Sequence, residues 1–411
     1  LNDYSDLLVE EGDPELIPEI VPIDSRLSIS GSAETLAQAF ERAVAIAPQK
    51  EVIPGTIYTK LSAVASTATT SSYVEVTALD SEKALSAVVA GFKITKPGEV
   101  LLPGRKILDI LKLILTKEKT LRLDVIGHTV TIRSGRAVWT VQAPAGVDLP
   151  PFPDVSDIKT SGVPLKPFLR ALKVAKLAAA TNSSRFSLMQ IQVRNQKVTG
   201  CDGSRVHQVR VEELDEALDV EIPIKVVDEL IRGLEAADAE FFQLGSNDMH
   251  LLFEIGEDRI IAQRLMVGFP DLEAILLGPA FQNKDQLLVN RLELIQAIKR
   301  IRVNADPDYA SFFLDVTKDA EGEWSLATSA SDRAVGNSAY ETLDVQYSGS
   351  GSKNVCLNHR HLLELLVAVQ GEEVVFRLGT DTKTKRMSVL VHSDVFIGIC
   401  QQMSPDNPFR S

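Results

Sequence analysis

Apolar residues recur along this chain in two alternating rhythms. In VLLPGRKILDILKLIL (100–115), EIPIKVVDELIRGLEA (221–236) and VCLNHRHLLELLVAVQ (355–370), a short extended lead-in meets Pro or Asn and continues as an apolar stripe at helical spacing. Ile107, Ile110, Leu111 and Ile114 form the first stripe; Leu362, Leu365, Leu366 and Val369 form the third. A second helical set precedes these: AETLAQAFERAVAIA (33–47), LKPFLRALKVAKLAAA (165–180) and NRLELIQAIKRIR (290–302). After each later helix come period-two stretches, such as LRLDVIGHTVTIRSGRAVWTVQ, that predict paired strands turned by Gly with Asn or Asp. Pro103, Pro223 and Asn358 lie 120 and 135 residues apart, and the first two repeats close on matching breaks, PFPD at 151–154 and GFPD at 268–271. The pattern predicts an α+β protein of three repeated domains, each with two helices packed on antiparallel sheets. Their expected bounds are 23–154, 155–279 and 280–404, with an acidic tail at 1–22 and an extension at 405–411.

Composition changes this picture little: 45% hydrophobic and 24% charged residues over 411 positions suit ordinary globular domains. Three cysteines (Cys201, Cys356, Cys400) without CxxC spacing indicate neither a disulfide framework nor a zinc site, and set the expectation of a reducing cytoplasm. No apolar run reaches the ~18 residues of a membrane span, and no basic-then-apolar leader opens the sequence, so a soluble, unexported protein is expected.

Charge changes the picture more. The chain carries −13, which as a bulk value argues against a nucleic-acid partner. Yet the six helical stretches hold 15 Lys and Arg against 8 Asp and Glu over 81 residues, a net +7, and the other 330 residues carry −20. The stretch 165–180 has Lys166, Arg170, Lys173 and Lys176 and no acid. Such a chain repels phosphate everywhere except along its helices. Residues 1–22, with seven acids and no base, read as a solvated tail.

One cluster invites a catalytic reading: VTGCDGSRVHQV at 198–209. An Asp202–Gly203 two-residue turn would set Cys201 opposite Ser204 and Val198 opposite His207. His207 would then lie roughly 10 Å along the strand from Cys201, and Ser204 and His207 would point to opposite faces. Neither pair makes a nucleophile and base. His359 and His361, two apart on a helix, diverge as metal ligands. The expectation is a non-enzyme with no cofactor and no metal. A noncatalytic repeat scaffold that binds only protein is the alternative, and a Cys/His-type hydrolase a lesser one.

Three segments, one per repeat, carry a resemblance. Cys201-Asp202-Gly203-Ser204-Arg205-Val206 falls where bacterial sliding clamps have Thr-Asp-Gly-His-Arg-Leu. IRSGRAVWTV at 132–141 resembles their Arg-Ser-Gly-Arg strand, and YETLDVQYSGSGSKNVCLNHRHLLELLVAV at 340–369 is similar to their Leu-Asp-Val-x-Tyr-Ser-Gly strand and following helix. The chain thus resembles the beta subunit of DNA polymerase III, a replication processivity factor, over roughly residues 23 to 403. The resemblance implies a head-to-tail homodimeric ring of six domains in which twelve helices line a hole. At about 10 Å spacing those helices make a circle about 38 Å across and leave a hole of roughly 28 Å, a loose fit for hydrated duplex.

It further implies non-sequence-specific contacts to double-stranded DNA, cytoplasmic and nucleoid-associated, and tethering of polymerase and clamp loader by short peptide motifs. DNA-facing positions carried over are Lys50, Asn182, Phe186 and Lys225, to which helix charge adds Arg170, Lys173, Lys176, Lys299 and Arg302. The partner-peptide pocket carried over comprises Arg185, Leu188, Cys201, Gly203, Ser204, Arg205, Val206, Pro270 and Ile275, with Ile397, Ile399 and Gln401 from the last strand. Ser204 stands for a His and Cys201 for a Thr. Ile399-Cys400-Gln401-Gln402-Met403 stands where the family ends in Met-Pro-Met-Arg-Leu, so the preferred peptide is expected to differ.

Overall fold

The computed structural model describes residues 25–66, 71–116, 119–276, 281, 285–332, 335–380 and 387–403. The acidic 1–22 and the 405–411 extension lie outside the described residues. Compactness divides the chain into unit 1, Leu1–Ile158 with His250–Gln263, and unit 2, Lys159–Met249 with Arg264–Ser411.

Unit 1 holds α1 (Ala33–Ile46) and α2 (Gly104–Ile114). The Ser32 side chain caps α1 by accepting from the Thr35 amide. α2 follows Pro103 and buries Ile107, Leu108, Ile110, Leu111 and Ile114, the stripe that the sequence predicts. One antiparallel sheet runs in the order Lys93–Lys96, Ser25–Ser32, Thr120–Ile126, Thr129–Ser134, Ala137–Gln142. Its buried Asp124 accepts from Ser28 Oγ (2.7 Å), Arg122 Nε (3.0 Å) and Arg133 Nη1 (3.0 Å), so the Arg-Ser-Gly-Arg segment supplies a structural cation. In the second sheet of this unit, Gly98–Leu102, Thr59–Val64, Tyr73–Leu79 and Lys83–Val89 continue into the hairpin Asp258–Gln263 and His250–Ile255.

Unit 2 holds α3 (Leu165–Ala178), α4 (Ile224–Ala236), a short α5 (Glu273–Leu276) that the periodicity does not predict, α6 (Arg291–Ile301) and α7 (His359–Ala368). Asn290 and Asn358 cap α6 and α7 through their side chains. Leu294, Ile298, Leu362, Leu365 and Leu366 meet Phe312 and Phe376 in one core. Nine strands form a continuous antiparallel sheet: Val220–Pro223, Gln190–Arg194, Lys197–Cys201, Arg205–Arg210, Phe396–Gln401, Met387–His392, Glu373–Thr380, Gln286–Asn290 and Gln346–Tyr347. Asn337–Asp344, Trp324–Asp332, Ser311–Lys318 and Lys353–Asn358 form a four-stranded sheet, and Thr160–Pro164 pairs with Phe241–Ser246. α3 lies tight on its sheet: a Cβ on Gly200 would stand 2.0 Å from the Ala175 carbonyl oxygen.

The hairpin at 197–210 departs from the expected register by one residue. Cys201 pairs with Val206, Gly200 with His207 and Val198 with Val209, so Gly203–Ser204 makes the turn rather than Asp202–Gly203. The cause is the Asp202 carboxylate, whose Oδ1 accepts from the Ser204 amide (2.8 Å), the Ser204 hydroxyl (2.7 Å) and the Arg205 amide (3.0 Å). Gly203 then takes the φ of +94° that the turn needs.

Candidate functional site

The helix layer carries the cations. In unit 1, Lys50 is exposed in the loop after α1. In unit 2, Arg170, Lys173, Asn182, Phe186, Lys225, Lys299 and Arg302 are all exposed, and Lys176 is half-buried. Phe186, 62% exposed, opens a short 3-10 turn after α3. The charge count does not reveal how the cations on α3 are partnered. Lys173 pairs with Glu235 at 2.5 Å and Lys176 with Asp228, both across the α3–α4 contact. Arg170 donates to the side-chain carbonyl of Gln370 at 3.0 Å, in the amide orientation that satisfies both groups. Exposed ion pairs of this kind are worth ~1 kcal/mol or less, so phosphate can replace the carboxylates as partners.

The outer face of the nine-stranded sheet gathers the other set. Leu188, Cys201, Val206 and Ile399 are buried in one apolar cluster, with Ile397 packed at its margin. Val206 pairs with Ile399 and Gln208 with Ile397, which sets the four side chains in step across two strands. Gly203 leaves room above Leu188, whose Cδ1 stands 3.6 Å from where a Cβ would be, with Arg185 Nη1 at 4.0 Å. The Gln401 amide donates to the Ser204 carbonyl (2.9 Å), closing the hairpin against the last strand.

Two carried-over residues sit differently. Arg205 turns inward: its Nε donates to Asp202 Oδ2 (2.8 Å) and its Nη1 pairs with Glu364 of α7. Burial works to raise the Asp202 pKa, but the Ser204 donors and the Arg205 charge outweigh it and hold the carboxyl below its ordinary value. Ile275, in α5, is 53% exposed and outside the cluster.

Periodicity misses the rest of the cluster: Phe269, Leu272 and Phe281 from the connection after the sheet, and Leu390 beside Ile399. The repeated FPD break marks Phe269. Half-buried Pro270 follows it, and beside them a polar recess of about 250 Å³ is lined by Gln192, Thr199, Gln208, Asp271 and Glu273, among others.

The cysteine, serine and histidine do not converge. His207 lies on the helix side of the sheet, fully buried, with Nδ1 3.0 Å from the Val174 carbonyl and its ring edge-on to Phe396. Desolvation, the largest influence, pushes its pKa down to about 4. Burial pushes the Cys201 thiol up to about 11. Among the described residues no cluster of three potential metal ligands occurs, and no helix is long and apolar enough to cross a membrane.

Comparison with known proteins places this arrangement. No protein-family profile matches the chain. The crystal structure of the DNA polymerase III beta subunit of Pseudomonas aeruginosa superposes with a TM-score of 0.77 at 22% identity, covering 92% of this chain and all of that one. The fold is therefore that of the sliding clamps. In sequence, the beta sliding clamp of Synechocystis is 22% identical over 332 residues, 75% of this chain and 82% of that protein. That of Escherichia coli K12 is 25% identical over 310 residues, 73% and 81%. The chain is a divergent relative of the bacterial beta sliding clamps.

Proposed function

We propose that this chain is a DNA sliding clamp: a homodimeric ring that encircles duplex DNA and tethers a polymerase and its clamp loader through short peptides. Three domains at 23–154, 155–279 and 280–404 would make up each half. The observation that carries the reading is the clamp fold over 92% of the chain, with cations grouped on its helices and an apolar cleft on its outer sheet. Lys50, Arg170, Lys173, Lys176, Asn182, Phe186, Lys225, Lys299 and Arg302 meet the duplex. Contacts of Lys and Arg to phosphate position the ring without reading sequence, which permits sliding. Retention comes from topology, so the work needs no catalytic group, and a replication clamp of this kind works in the cytoplasm at the nucleoid.

Two open sheet edges support the ring. Ala137–Gln142 ends a sheet of unit 1 with Val138 58% exposed, and Asn337–Asp344 ends one of unit 2 with Tyr340 83% exposed. Unpaired edges with apolar outward residues favour strand pairing with a second copy, and the resulting dimer weighs about 90 kDa.

The test is retention on nicked circular DNA after loading, followed by linearisation. A clamp stays on the circle and leaves the linear form; a scaffold that binds only protein accumulates on neither. Reversing Lys173, Lys176 and Lys225 to Glu lowers retention most clearly at low salt, and unchanged retention removes α3 and α4 from the DNA surface.

A further inference from the structure

The outer-face cleft of unit 2 has a counterpart within unit 1, and the two diverge at one position. In unit 1, Leu79 pairs with Ala84, Ala84 with Ile261 and Ile261 with Leu252. In unit 2, Cys201 pairs with Val206, Val206 with Ile399 and Ile399 with Leu390. Each row of four is covered by the connection that leaves the unit through an FPD turn. Asp154 Oδ1 accepts from the Ser156 amide (3.0 Å), and the Ile158 amide donates to the Val155 carbonyl (3.1 Å). Asp271 Oδ1 accepts from the Glu273 amide (3.0 Å), and the Ile275 amide donates to the Leu272 carbonyl (3.0 Å).

The backbone therefore repeats, but the coverage does not. Ile158 packs on its row, alongside Phe152 and Val155. Ile275, its equivalent, is 53% exposed. Its place in the unit 2 cluster goes to Phe281, 7% exposed and six residues further along. A row meant only to be sealed could use the isoleucine already at hand, as unit 1 does.

We propose that Phe281 is an internal occupant of the partner cleft, and that the apolar anchor of a partner peptide binds by taking the place Phe281 holds. The proposal rests on the peptide-cleft reading above. Phe281 then sets partner affinity as a competitor within the same chain. If it is seated nine-tenths of the time, apparent peptide affinity falls about tenfold. With Phe281 seated, the cleft wall formed by Leu188, Cys201, Val206 and Ile399 is closed to solvent.

The experiment compares the full chain with Phe281→Ala and Phe281→Leu by two readouts: titration of a fluorescent peptide of the clamp-family consensus, and alkylation of Cys201 by N-ethylmaleimide followed by peptide mass spectrometry. Cys356 and Cys400, both buried, report any general loosening. The expected result is about tenfold tighter peptide binding for Phe281→Ala, an intermediate value for Phe281→Leu, and faster labelling of Cys201 alone. Unchanged or weaker peptide binding by Phe281→Ala overturns the proposal, whatever the labelling shows. Faster Cys201 labelling with no peptide binding to any of the three proteins leaves Phe281 as the occupant and overturns the peptide reading instead. Labelling that rises equally at all three cysteines means the variant has loosened the fold, and overturns the assignment of Phe281 as a removable group.

Discussion

On the outer face of unit 1, the row of Leu79, Ala84, Ile261 and Leu252 is sealed by the residues that follow it in the chain; in unit 2, the matching row of Cys201, Val206, Ile399 and Leu390 is sealed by a residue from further away. The neighbouring positions differ in kind as well. Thr77 faces Ser86 in unit 1 where Thr199 faces Gln208 in unit 2, and on the helix side Leu85 stands where unit 2 has His207. The unit 2 version is the more polar at its margins and the less self-sufficient at its centre. A binding cleft and a core patch can therefore share one backbone register, with the distinction resting on what covers the row.

Charges placed in the two rows test this most strongly. Ile261→Asp and Ile399→Asp both bury a carboxylate without a partner, and each should lower stability by about 3 kcal/mol in urea melts. Only Ile399→Asp should abolish peptide binding by the protein that remains folded. Loss of binding in both would make the unit 1 row a second partner site. The paired FPD phenylalanines should have smaller effects. Phe152→Ala and Phe269→Ala should cost about 2 kcal/mol each, below the range for fully buried rings because Phe152 is only half-buried. Peptide affinity should fall in Phe269→Ala and hold in Phe152→Ala.

The smallest effect concerns pH. The folded His207 pKa is lowered from 6.5 to about 4 by desolvation, so below about pH 6.5 the unfolded chain takes up a proton that the folded one refuses. Stability from this group is complete above pH 6.5 and is lost as pH falls towards 4, at up to about 1.4 kcal/mol per pH unit. His359 and His361 shift the same way. His207→Leu, which copies unit 1, should flatten the slope of melting temperature against pH by about one proton's share. An unchanged slope would place the acid sensitivity in the other two histidines.

Much of the fold was legible in the sequence because local and tertiary signals agree there. α2, α4 and α7 start after the Pro or Asn that the pattern selects, and the apolar stripes are the faces they bury. The hairpin register slipped by one because an Asp-Gly pair suggests a two-residue turn, whereas the Asp202 side chain organises the turn one residue later. The helix cations were countable, but not their partners: Asp228 and Glu235 sit on a different helix, some 50 residues away in sequence. The cover of the cleft was illegible, because residues of a connection have no period. The FPD repeat marks Phe269 and the position of Ile275, and gives no sign that Ile275 turns outward and Phe281 inward.

The ladder from Arg205–Arg210 to Phe396–Gln401 has a mechanical consequence. It joins the second and third helix pairs of one chain through a continuous sheet, fixed by five residue pairs and backed by the Arg205–Glu364 contact. A ring that must part to admit DNA would have to break that whole ladder to open there. Opening therefore falls to the contacts between copies, where the edges Ala137–Gln142 and Asn337–Asp344 meet, and the ease of loading becomes a property of those two strands.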